Sequence, residues 1–445
     1  MFQKDQLLNQ LANCTHSQSL STNNFLLSDY TILNKENSSG YLGKILYLQH
    51  KTQHDSSCIL KMVPSAPKSD ITVQNDDQES NNLIQTIMLN SVQIHKRECF
   101  FYSELLPMIH RLQLLNQDEI LFPKMYQYYI EEENGKAFPR GGGFIVMENL
   151  LCENVQTVAH CDELTIRGLS SQEFIRTLKS LSKFHAISFH PELRYKIDQA
   201  QQLMDQHGNQ QLLNNKLYEE SIEGEFSKIF TEYALNLLST KFKDQEFISY
   251  VNQSKVFRSL GKPLEFYQEL IEKLDSLWNV YDLDSKNSPL LSVLCHGDFW
   301  LNNVLFLQHQ QHSPQQSTLA FIDFQWVHIG PLFRDLFYFI YSSSELDIYL
   351  LLSDERKKQE FLLQHYFSIL QEWFEKYKDN SESLVNVDTI LNFMEQANTL
   401  KRLGLKQFIL SFEIFLDSAQ RVNQTEYWLN AIDRLLLVFH DCALV

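Results

Sequence analysis

Asp298, Asn303 and Asp323 are oxygen-bearing side chains within residues 290–327, a segment rich in β-forming residues. The apolar runs on either side of HGDFWLN predict a buried strand, a sharp loop and a second strand. A Gln-rich loop, QHQQHSPQQS, then closes a hairpin into a strand that ends at Asp323. Two neighbouring carboxylates repel unless a cation lies between them, and Mg²⁺ accepts one or two carboxylates together with water and phosphate oxygens. The sequence therefore predicts a magnesium site at one end of this hairpin.

Lys61 is a second residue whose surroundings suggest chemistry. It lies inside the apolar run CILKMV, which predicts a strand. A charge in such a run costs free energy unless it is paired. Lys61 is therefore expected to have a charged partner. The alternative is a residue at a strand edge whose aliphatic stem lies on the sheet while its amine reaches solvent.

The elements that must position these residues divide the chain into a β-rich first part and a helical remainder. Runs of β-branched and aromatic residues predict strands at Phe25–Leu33, Lys44–Leu48, Ser57–Val63, Lys124–Ile130 and Phe144–Met147. Apolar residues at helical spacing predict a helix over Val92–Arg111. Beyond about residue 170, long amphipathic helices predominate, interrupted by the β-rich segment 290–327. The predicted fold class is α+β, with a small lobe of sheet and helix followed by a large, mainly helical lobe.

Composition excludes several classes of protein. The 445 residues are 44% apolar and 21% charged, an ordinary globular mixture. The net charge of −17 disfavours nucleic acid and anionic membrane surfaces as partners, because a phosphate backbone needs a basic face. No apolar run is long enough for a membrane span, and no signal peptide is indicated. The 7 cysteines contain no C-x-x-C pair, which is typical of reduced thiols. These features predict a cytoplasmic protein.

The motif His296-x-Asp298-x-x-x-x-Asn303, followed by Ile322-Asp323-Phe324, resembles the catalytic loop and metal-binding aspartate of protein-kinase-like phosphotransferases. The details LCHGDFWLNN and IDFQ are similar to the choline-kinase-like branch, which includes the ecdysteroid kinase family. The resemblance implies a two-lobed protein-kinase-like fold. The expected division is an extension over 1–24, an ATP-binding N-lobe over 25–148 and a helical C-lobe over 149–445.

The resemblance also implies roles for the motif residues. Asp298 is expected to be the base that orients the acceptor hydroxyl, and His296 to brace the loop. Asn303 and Asp323 are expected to hold Mg²⁺ against the β- and γ-phosphates of ATP, since in such transfers the protein mainly positions reactants and offsets charge. The alternative is that residues 296–298 form an ordinary turn and that Asp323 caps a strand end.

In the smaller lobe, the resemblance implies that Lys61 binds ATP phosphates and is held by a glutamate. Glu98, on the predicted helix four residues before Tyr102, matches the family spacing. Glu104 is the competing candidate. An ordinary solvated helix face remains the alternative for Glu98.

Further candidate nucleotide contacts lie in a strand end and a turn. The run FIVMENL resembles the family's adenine-binding segment, which makes Glu148, Asn149 and Leu150 candidates. The family often has Asp where this chain has Asn149, and a buried strand end is the alternative. Ser38 and Ser39, in the turn NKENSSG, match a phosphate-covering turn, and a plain hairpin turn is equally compatible with that sequence.

Four other residues have structural interpretations. His185 resembles a residue of the helix beneath the catalytic loop and is expected to be a core histidine. Asp335 matches the family's Asp at the start of the next helix, where it would cap that helix, brace the catalytic loop, or do both. His309 and His312 belong to the Gln-rich loop, where a solvated insert is favoured over a metal site.

The expected activity is ATP- and Mg²⁺-dependent phosphorylation of a hydroxyl on a small molecule, lipophilic alcohols included. A catalytically silent nucleotide-binding scaffold is the rival from another class. Within the enzyme class the alternatives are a choline or ethanolamine kinase and an aminoglycoside-type phosphotransferase. The expected partner is the small-molecule acceptor, and no protein partner is evident.

Overall fold

The structure is a computed structural model, and the residues it describes form an interrupted set. They are residues 29–37, 44–53, 57–63, 94–116, 119–133, 140–150, 155–157, 167–203, 225–279, 292–309, 318–352, 354–377, 408–409, 411–412, 415–416, 419–421 and 424–443. The chain divides into two compact units. Described residues of Met1–Val158, Ala200–Leu213 and Phe306–Val327 belong to the first, and those of Ala159–Gln199, Asn214–Leu305 and His328–Val445 to the second.

The main sheet of the first unit is antiparallel and has the strand order β1-β2-β3-β6-β5. Its strands are β1 (Tyr30–Asn37), β2 (Lys44–His50), β3 (Ser57–Val63), β5 (Met125–Glu133) and β6 (Arg140–Glu148). A smaller sheet has the order β4-β10-β9-β7. Its strands are β4 (Ile120–Leu121), β7 (Val155–Thr157), β9 (Val304–His309) and β10 (Thr318–Phe321).

Alternation along β3 gives the main sheet two different faces. Leu60 is fully buried in an apolar cluster that includes Leu46 and Val146, its cross-strand partners on β2 and β6. Because successive side chains of a strand point to opposite faces, Lys61 projects to the other side. The alternation therefore places Lys61 on the face of the sheet opposite its apolar core.

Helix α1 covers the face that carries Lys61. It is α-helical over 94–100, passes through a π-helical turn at Phe101–Leu105 and continues as an α-helix over Leu106–Arg111. One helical face is buried along its length, including Glu98 and Ile109. The helix is therefore anchored by apolar packing while it presents a carboxylate to the sheet.

The second unit is mainly helical. Its described helices are α2 (Ser171–Ala186), α3 (Pro191–Leu203, whose last residues from Ala200 belong to the first unit), α4 (Glu225–Lys241), α5 (Gln245–Gln253), α6 (Lys255–Leu260), α7 (Leu264–Asn279), α8 (Phe333–Ser343), α9 (Leu346–Leu352), α10 (Glu355–Leu362, a π-helical turn at Leu363–Phe367, then Ser368–Tyr377) and α11 (Thr425–Ala443). Strand β8 (Ser292–Cys295) pairs antiparallel with β11 (His328–Pro331). None of the helices described combines the length and hydropathy needed to cross a membrane.

The predicted α+β class is confirmed, because the described part of the first unit contains two sheets and helix α1, and helices dominate the described part of the second. The predicted hairpin is also confirmed, since β9 and β10 are neighbours in one sheet. Strand β8, which precedes the HGDFWLN loop as predicted, lies in a separate sheet with β11, a pairing that the sequence analysis did not predict. The sequence of β11, HIGP, contains a glycine and a proline, which weaken its strand signal. The amphipathic pattern also predicts a helix over Leu400–Ser418, and most of this range lies outside the described residues.

Gly143→Ala should destabilise the main sheet, because an added Cβ would lie 2.0 Å from the carbonyl oxygen of Tyr129 and 2.6 Å from Nε2 of His95. Overpacking of this kind costs about 1–3 kcal/mol. Amide hydrogen exchange should therefore be faster in β5 and β6.

Gly261→Ala is the control for this substitution. Gly261 has φ 62° and no neighbour within 4 Å of an added Cβ, so its replacement introduces only local backbone strain. Exchange in β5 and β6 should stay at the wild-type rate in that variant. Unchanged protection of these strands in Gly143→Ala would contradict the close approach.

Candidate active site

The ammonium group of Lys61 is held by three acceptors of the first unit. Its Nζ donates to Oδ1 of Asp323 at 2.5 Å, to Oε2 of Glu98 at 2.7 Å and to Oε1 of Gln325 at 3.3 Å. A lysine ammonium has three donors, so each has a partner. The side chain of Lys61 is 11% exposed and that of Glu98 is 1% exposed, whereas Asp323 keeps 30% of its surface accessible. The cluster therefore buries the cation and leaves one carboxylate reachable.

Burial and charge act in opposite directions on this cluster. Burial alone would lower the pKa of Lys61, but the charges of Asp323 and Glu98 outweigh it and raise that pKa. Lys61 is consequently protonated. Burial, with the charge of Asp323 added, raises the pKa of Glu98 to about 7, although Lys61 opposes the shift. One cation thus faces two carboxylates, and burial makes Glu98 harder to ionise than a glutamate in water.

Asp323 is positioned by an unusual backbone conformation and an aromatic contact. Its φ of 66° lies in the left-handed region, which Asp and Asn tolerate better than most residues. The chain then enters a 3₁₀ turn at Phe324–Trp326. The ring of Phe324 stacks on Phe101 of α1, with centroids 3.8 Å apart and planes at 8°. The segment that carries Asp323 is therefore packed directly on the helix that carries Glu98.

His95 attaches α1 to the sheet one helical turn before Glu98. Its Nε2 lies 3.0 Å from the carbonyl oxygen of Tyr129 on β5, so this nitrogen must be the donor. Gly143 on β6 leaves the space that this imidazole occupies. Burial lowers the pKa of His95 to about 4, because an additional proton would find a buried position close to the charge of Lys61. The hydrogen bond from the neutral ring therefore holds α1 against the sheet.

In the second unit, a buried carboxylate holds the start of the HGDFWLN loop. The amide of His296 donates to Oδ2 of Asp335 at 2.6 Å, and the amide of Gly297 donates to Oδ1 at 2.9 Å. Gly297 has φ 85°, a conformation that glycine adopts without strain. The carboxyl group, on the first turn of α8, thus braces two successive amides immediately before Asp298.

Asp298 and Asn303 are joined across the same loop. The amide nitrogen of Asn303 donates to the carbonyl oxygen of Asp298 at 2.7 Å and to its Oδ2 at 3.0 Å. These bonds leave the amide oxygen of Asn303 available as a metal ligand. From residue 293 to residue 301, Asp298 is the residue whose side chain is not buried. The loop therefore fixes one partly accessible carboxylate among buried neighbours.

His185 and His296 have supporting positions. The Nε2 of His185, on α2, lies 3.1 Å from Oδ2 of Asp335. The Nδ1 of His296 accepts the amide of Asp298 at 3.4 Å, and its ring packs edge-on against Phe299. Both imidazoles are fully buried. Their contacts connect the loop to helices of the second unit.

The other candidate nucleotide-binding residues are Glu148, Asn149, Leu150, Ser38 and Ser39. Oε2 of Glu148 accepts the amide of Lys124 at 3.2 Å, and Nδ2 of Asn149 donates to Oγ of Ser57 at 3.1 Å. Both polar side chains therefore contact the sheet itself. Leu150 is described and partly buried. Ser38 and Ser39 lie outside the described residues.

Three candidates remain, of which the structure describes two. Glu104 is exposed, so the structure places Glu98 rather than Glu104 against Lys61. The backbone of His309 pairs with that of Val155 at the end of β9, and His312 lies outside the described residues.

Two residues of this region were not identified from the sequence. Gln325 was not predicted to contact Lys61, although its place two residues after Asp323 allows its side chain to reach the same cation. His95 was not singled out. Its position three residues before Glu98 puts both on one face of the helix, which is the signal that could have identified it.

Comparison with known proteins identifies the family. Residues 46–379 match the sequence model of the ecdysteroid kinase-like family, which is most of the chain. The chain belongs to the ecdysteroid kinase-like family. The comparison with curated proteins found no match.

Several solved kinases have a partly similar structure. An ethanolamine kinase from Plasmodium vivax has 12% identity and a TM-score of 0.38, with 91% of this chain and 80% of that chain covered. A choline kinase from Cryptosporidium parvum has 12% identity and a TM-score of 0.38, with coverages of 98% and 95%. An aminoglycoside phosphotransferase from Streptomyces rimosus has 13% identity and a TM-score of 0.31, with coverages of 86% and 92%. The family assignment rests on the sequence match, not on these structures.

The pKa of His95 predicts an acid-sensitive first unit. A histidine titrates near 6.5 when unfolded and at about 4 here, so between these values the unfolded chain binds the additional proton. Stability should therefore fall as pH decreases from about 6.5 to 4, by at most about 3 kcal/mol from this residue.

His95→Gln keeps an amide donor for the carbonyl of Tyr129 and removes the titrating ring. Over that pH range the variant should lose less stability than the wild type. The measurement is the denaturant midpoint for the opening of β5, followed by hydrogen exchange of its amides. Parallel pH dependences in the two proteins would show that His95 is not the source of the acid sensitivity.

Proposed function

We propose that this chain is a kinase that transfers the γ-phosphoryl group of Mg·ATP to a hydroxyl group of a small molecule. The observation that carries the proposal is the position of Lys61, whose buried ammonium bonds to Glu98 and Asp323, respectively 37 and 262 residues away in sequence. A buried cation prearranged between two carboxylates is suited to the phosphates of a nucleotide. Membership of the ecdysteroid kinase-like family supports the same assignment.

The residues of the first unit would bind the nucleotide. Lys61 offers a fully protonated ammonium to phosphate oxygens, and Glu98 keeps that ammonium in place from a helix anchored by aromatic packing. Because Asp323 is partly exposed, it can exchange its contact with Lys61 for a ligand. The cluster is thus compatible with a resting state from which phosphate binding displaces one ion pair.

The two residues that the motif resemblance implies as metal ligands each have a side chain suited to a magnesium ion. Asp323 supplies an accessible carboxylate, and Asn303 supplies the amide oxygen that its bonds to Asp298 do not use. Both are hard oxygen donors of the kind that Mg²⁺ prefers. When bound, the ion would neutralise charge on the phosphates. The structural support is the chemistry of these donors, and we propose Asn303 and Asp323 as the ligands.

Asp298 is the proposed catalytic base. Its carboxylate is held by Asn303 through one oxygen and lies on a loop braced by Asp335, so it is positioned before any acceptor arrives. In the proposed step it orients the acceptor hydroxyl and takes its proton. The hydroxyl oxygen forms a bond to the γ-phosphorus as the bond to the bridging oxygen breaks, and ADP leaves.

The direct test is a screen of small-molecule alcohols, including sterols, choline, ethanolamine and aminoglycosides, for Mg·ATP-dependent phosphorylation. Formation of ADP together with a phosphorylated alcohol would support the proposal and identify the acceptor class. Tight Mg·ATP binding without transfer to any alcohol, and without slow ATP hydrolysis, would favour the catalytically silent scaffold.

Asp298→Asn should retain nucleotide binding and lose about 10²–10⁴ in turnover, the usual contribution of a positioned base. Asparagine keeps the size of the side chain but cannot accept the hydroxyl proton. The matched control is Asp347→Asn, the same charge change at an exposed site on α9. Full turnover in Asp298→Asn would disprove the role of base.

Asp323→Ala should abolish the stabilisation by Mg·ATP, because it removes a metal ligand. At about 100 times the dissociation constant, that stabilisation amounts to about 2.7 kcal/mol in the wild type, measurable as a thermal shift. Asp323→Asn should weaken it similarly while tolerating the left-handed backbone. Glu104→Ala, at an exposed position of α1, should respond like the wild type. An undiminished Mg-dependent shift in both Asp323 variants would exclude this ligand.

A further inference from the structure

A buried hydrogen-bonded chain of side chains extends beyond the brace of the catalytic loop. The Nδ1 of His185 bonds to the phenol oxygen of Tyr366, and its Nε2 lies 3.1 Å from Oδ2 of Asp335. Asp335 in turn accepts the amides of His296 and Gly297. Tyr366 has no exposed surface, nor have His185 and Asp335.

The chemistry of these groups fixes the direction of each bond. Burial alone would raise the pKa of Asp335, but the hydrogen bond from His185 and the electrostatic effects of His185, His296 and His328 together lower it, so its carboxylate is ionised and only accepts. The Nε2 of His185 must therefore donate to it. In a neutral ring the Nδ1 is then an acceptor. Burial raises the pKa of Tyr366 well above its usual value, so its hydroxyl keeps the proton that this nitrogen requires.

The backbone around Tyr366 is also adapted to this contact. Residues Leu363–Phe367 form a π-helical turn, closed by a bond from the amide of Ser368 to the carbonyl oxygen of Leu363. A π-helical turn contains an additional residue and rotates the side chains that follow, and such turns often occur at functional sites. The hydroxyl of Ser182 donates to the carbonyl oxygen of Tyr366 at 2.7 Å. Ser182 and His185, one turn apart on α2, thus hold Tyr366 at its backbone and its side chain.

We propose that Tyr366 is a positioning residue for catalysis: its hydroxyl holds His185 in the tautomer that braces Asp335 and, through it, the amides of the catalytic loop. Tyr366 acts through His185 and Asp335 and does not contact a reacting atom. The kinetic part of this inference rests on the proposed kinase function, whereas the hydrogen-bonding part does not.

Tyr366→Phe tests the inference by removing one oxygen atom. Hydrogen exchange of the His296 and Gly297 amides should be faster by about three- to tenfold, the usual effect of losing one buried hydrogen bond. In ¹⁵N-histidine-labelled protein, wild-type His185 should show a protonated Nε2 and an unprotonated Nδ1, and the Nδ1 resonance should move in Tyr366→Phe. The His185 signals are assigned by their loss in His185→Gln.

Activity provides a separate measurement. In Tyr366→Phe, kcat should fall by about tenfold or less while KM for Mg·ATP stays unchanged, because the loop loses order and the lysine cluster does not. Tyr267→Phe is the matched control, since it removes another fully buried phenol oxygen, which has no hydrogen-bond partner among the described residues. Its loop exchange, histidine spectrum and kcat should equal those of the wild type.

Ser182→Ala keeps the phenol of Tyr366 and removes only the hydrogen bond to its carbonyl oxygen in the π-helical turn. This variant replaces Tyr366→Phe as the test if Tyr366→Phe does not fold. It should accelerate exchange of the same two amides by a smaller factor. A proton on Nδ1 of wild-type His185, or wild-type exchange at His296 and Gly297 in the folded variants, would overturn the inference. If the wild type phosphorylates nothing, the proposed function fails, but the exchange and histidine measurements still decide the role of Tyr366.

Discussion

The buried ammonium of Lys61 is the constraint on which the first unit depends. A cation placed on an apolar strand must have acceptors for all three of its donors, and they come from elements far apart in sequence: Glu98 from a helix and Asp323 with Gln325 from the turn after β10. The sheet must therefore fold with α1 and that turn on the same face. The stacking of Phe324 on Phe101 and the bond from His95 to the sheet are the contacts that secure this arrangement.

The second unit also contains a buried charged group, of the opposite sign. There, a buried carboxylate, Asp335, is satisfied by two backbone amides and an imidazole. The carboxylate contacts of Lys61 can be replaced by contacts with a ligand. The amides that bind Asp335 belong to the backbone and keep their positions. A cluster with exchangeable partners suits ligand binding, and a cluster with permanent partners suits the support of a loop. This difference in chemistry is why we assign the first to the nucleotide and the second to positioning.

Sequence reasoning was most successful where the signal was local. The apolar run around Lys61 predicted a strand in which this charge needs a partner, and the family spacing to Tyr102 favoured Glu98 over Glu104. It failed where tertiary contacts decide the outcome. The pairing of β8 with β11 depends on a strand whose Gly and Pro conceal it, and the contact of Gln325 depends on the left-handed turn at Asp323. The link from Tyr366 to His185 joins residues 181 positions apart, for which a single sequence carries no signal.

Both helices that secure these clusters contain a π-helical turn, at Phe101–Leu105 in α1 and at Leu363–Phe367 in α10. In each turn the amide after the turn bonds to the carbonyl oxygen five positions earlier, so the turn contains one residue more than a turn of α-helix. An aligner or designer who treats these helices as unbroken 3.6-residue periods would misjudge which side chains face inward after each turn. Deleting one residue at either turn would remove the additional residue and restore an ordinary α-helical turn, so the helical segments on both sides would keep the faces that they bury.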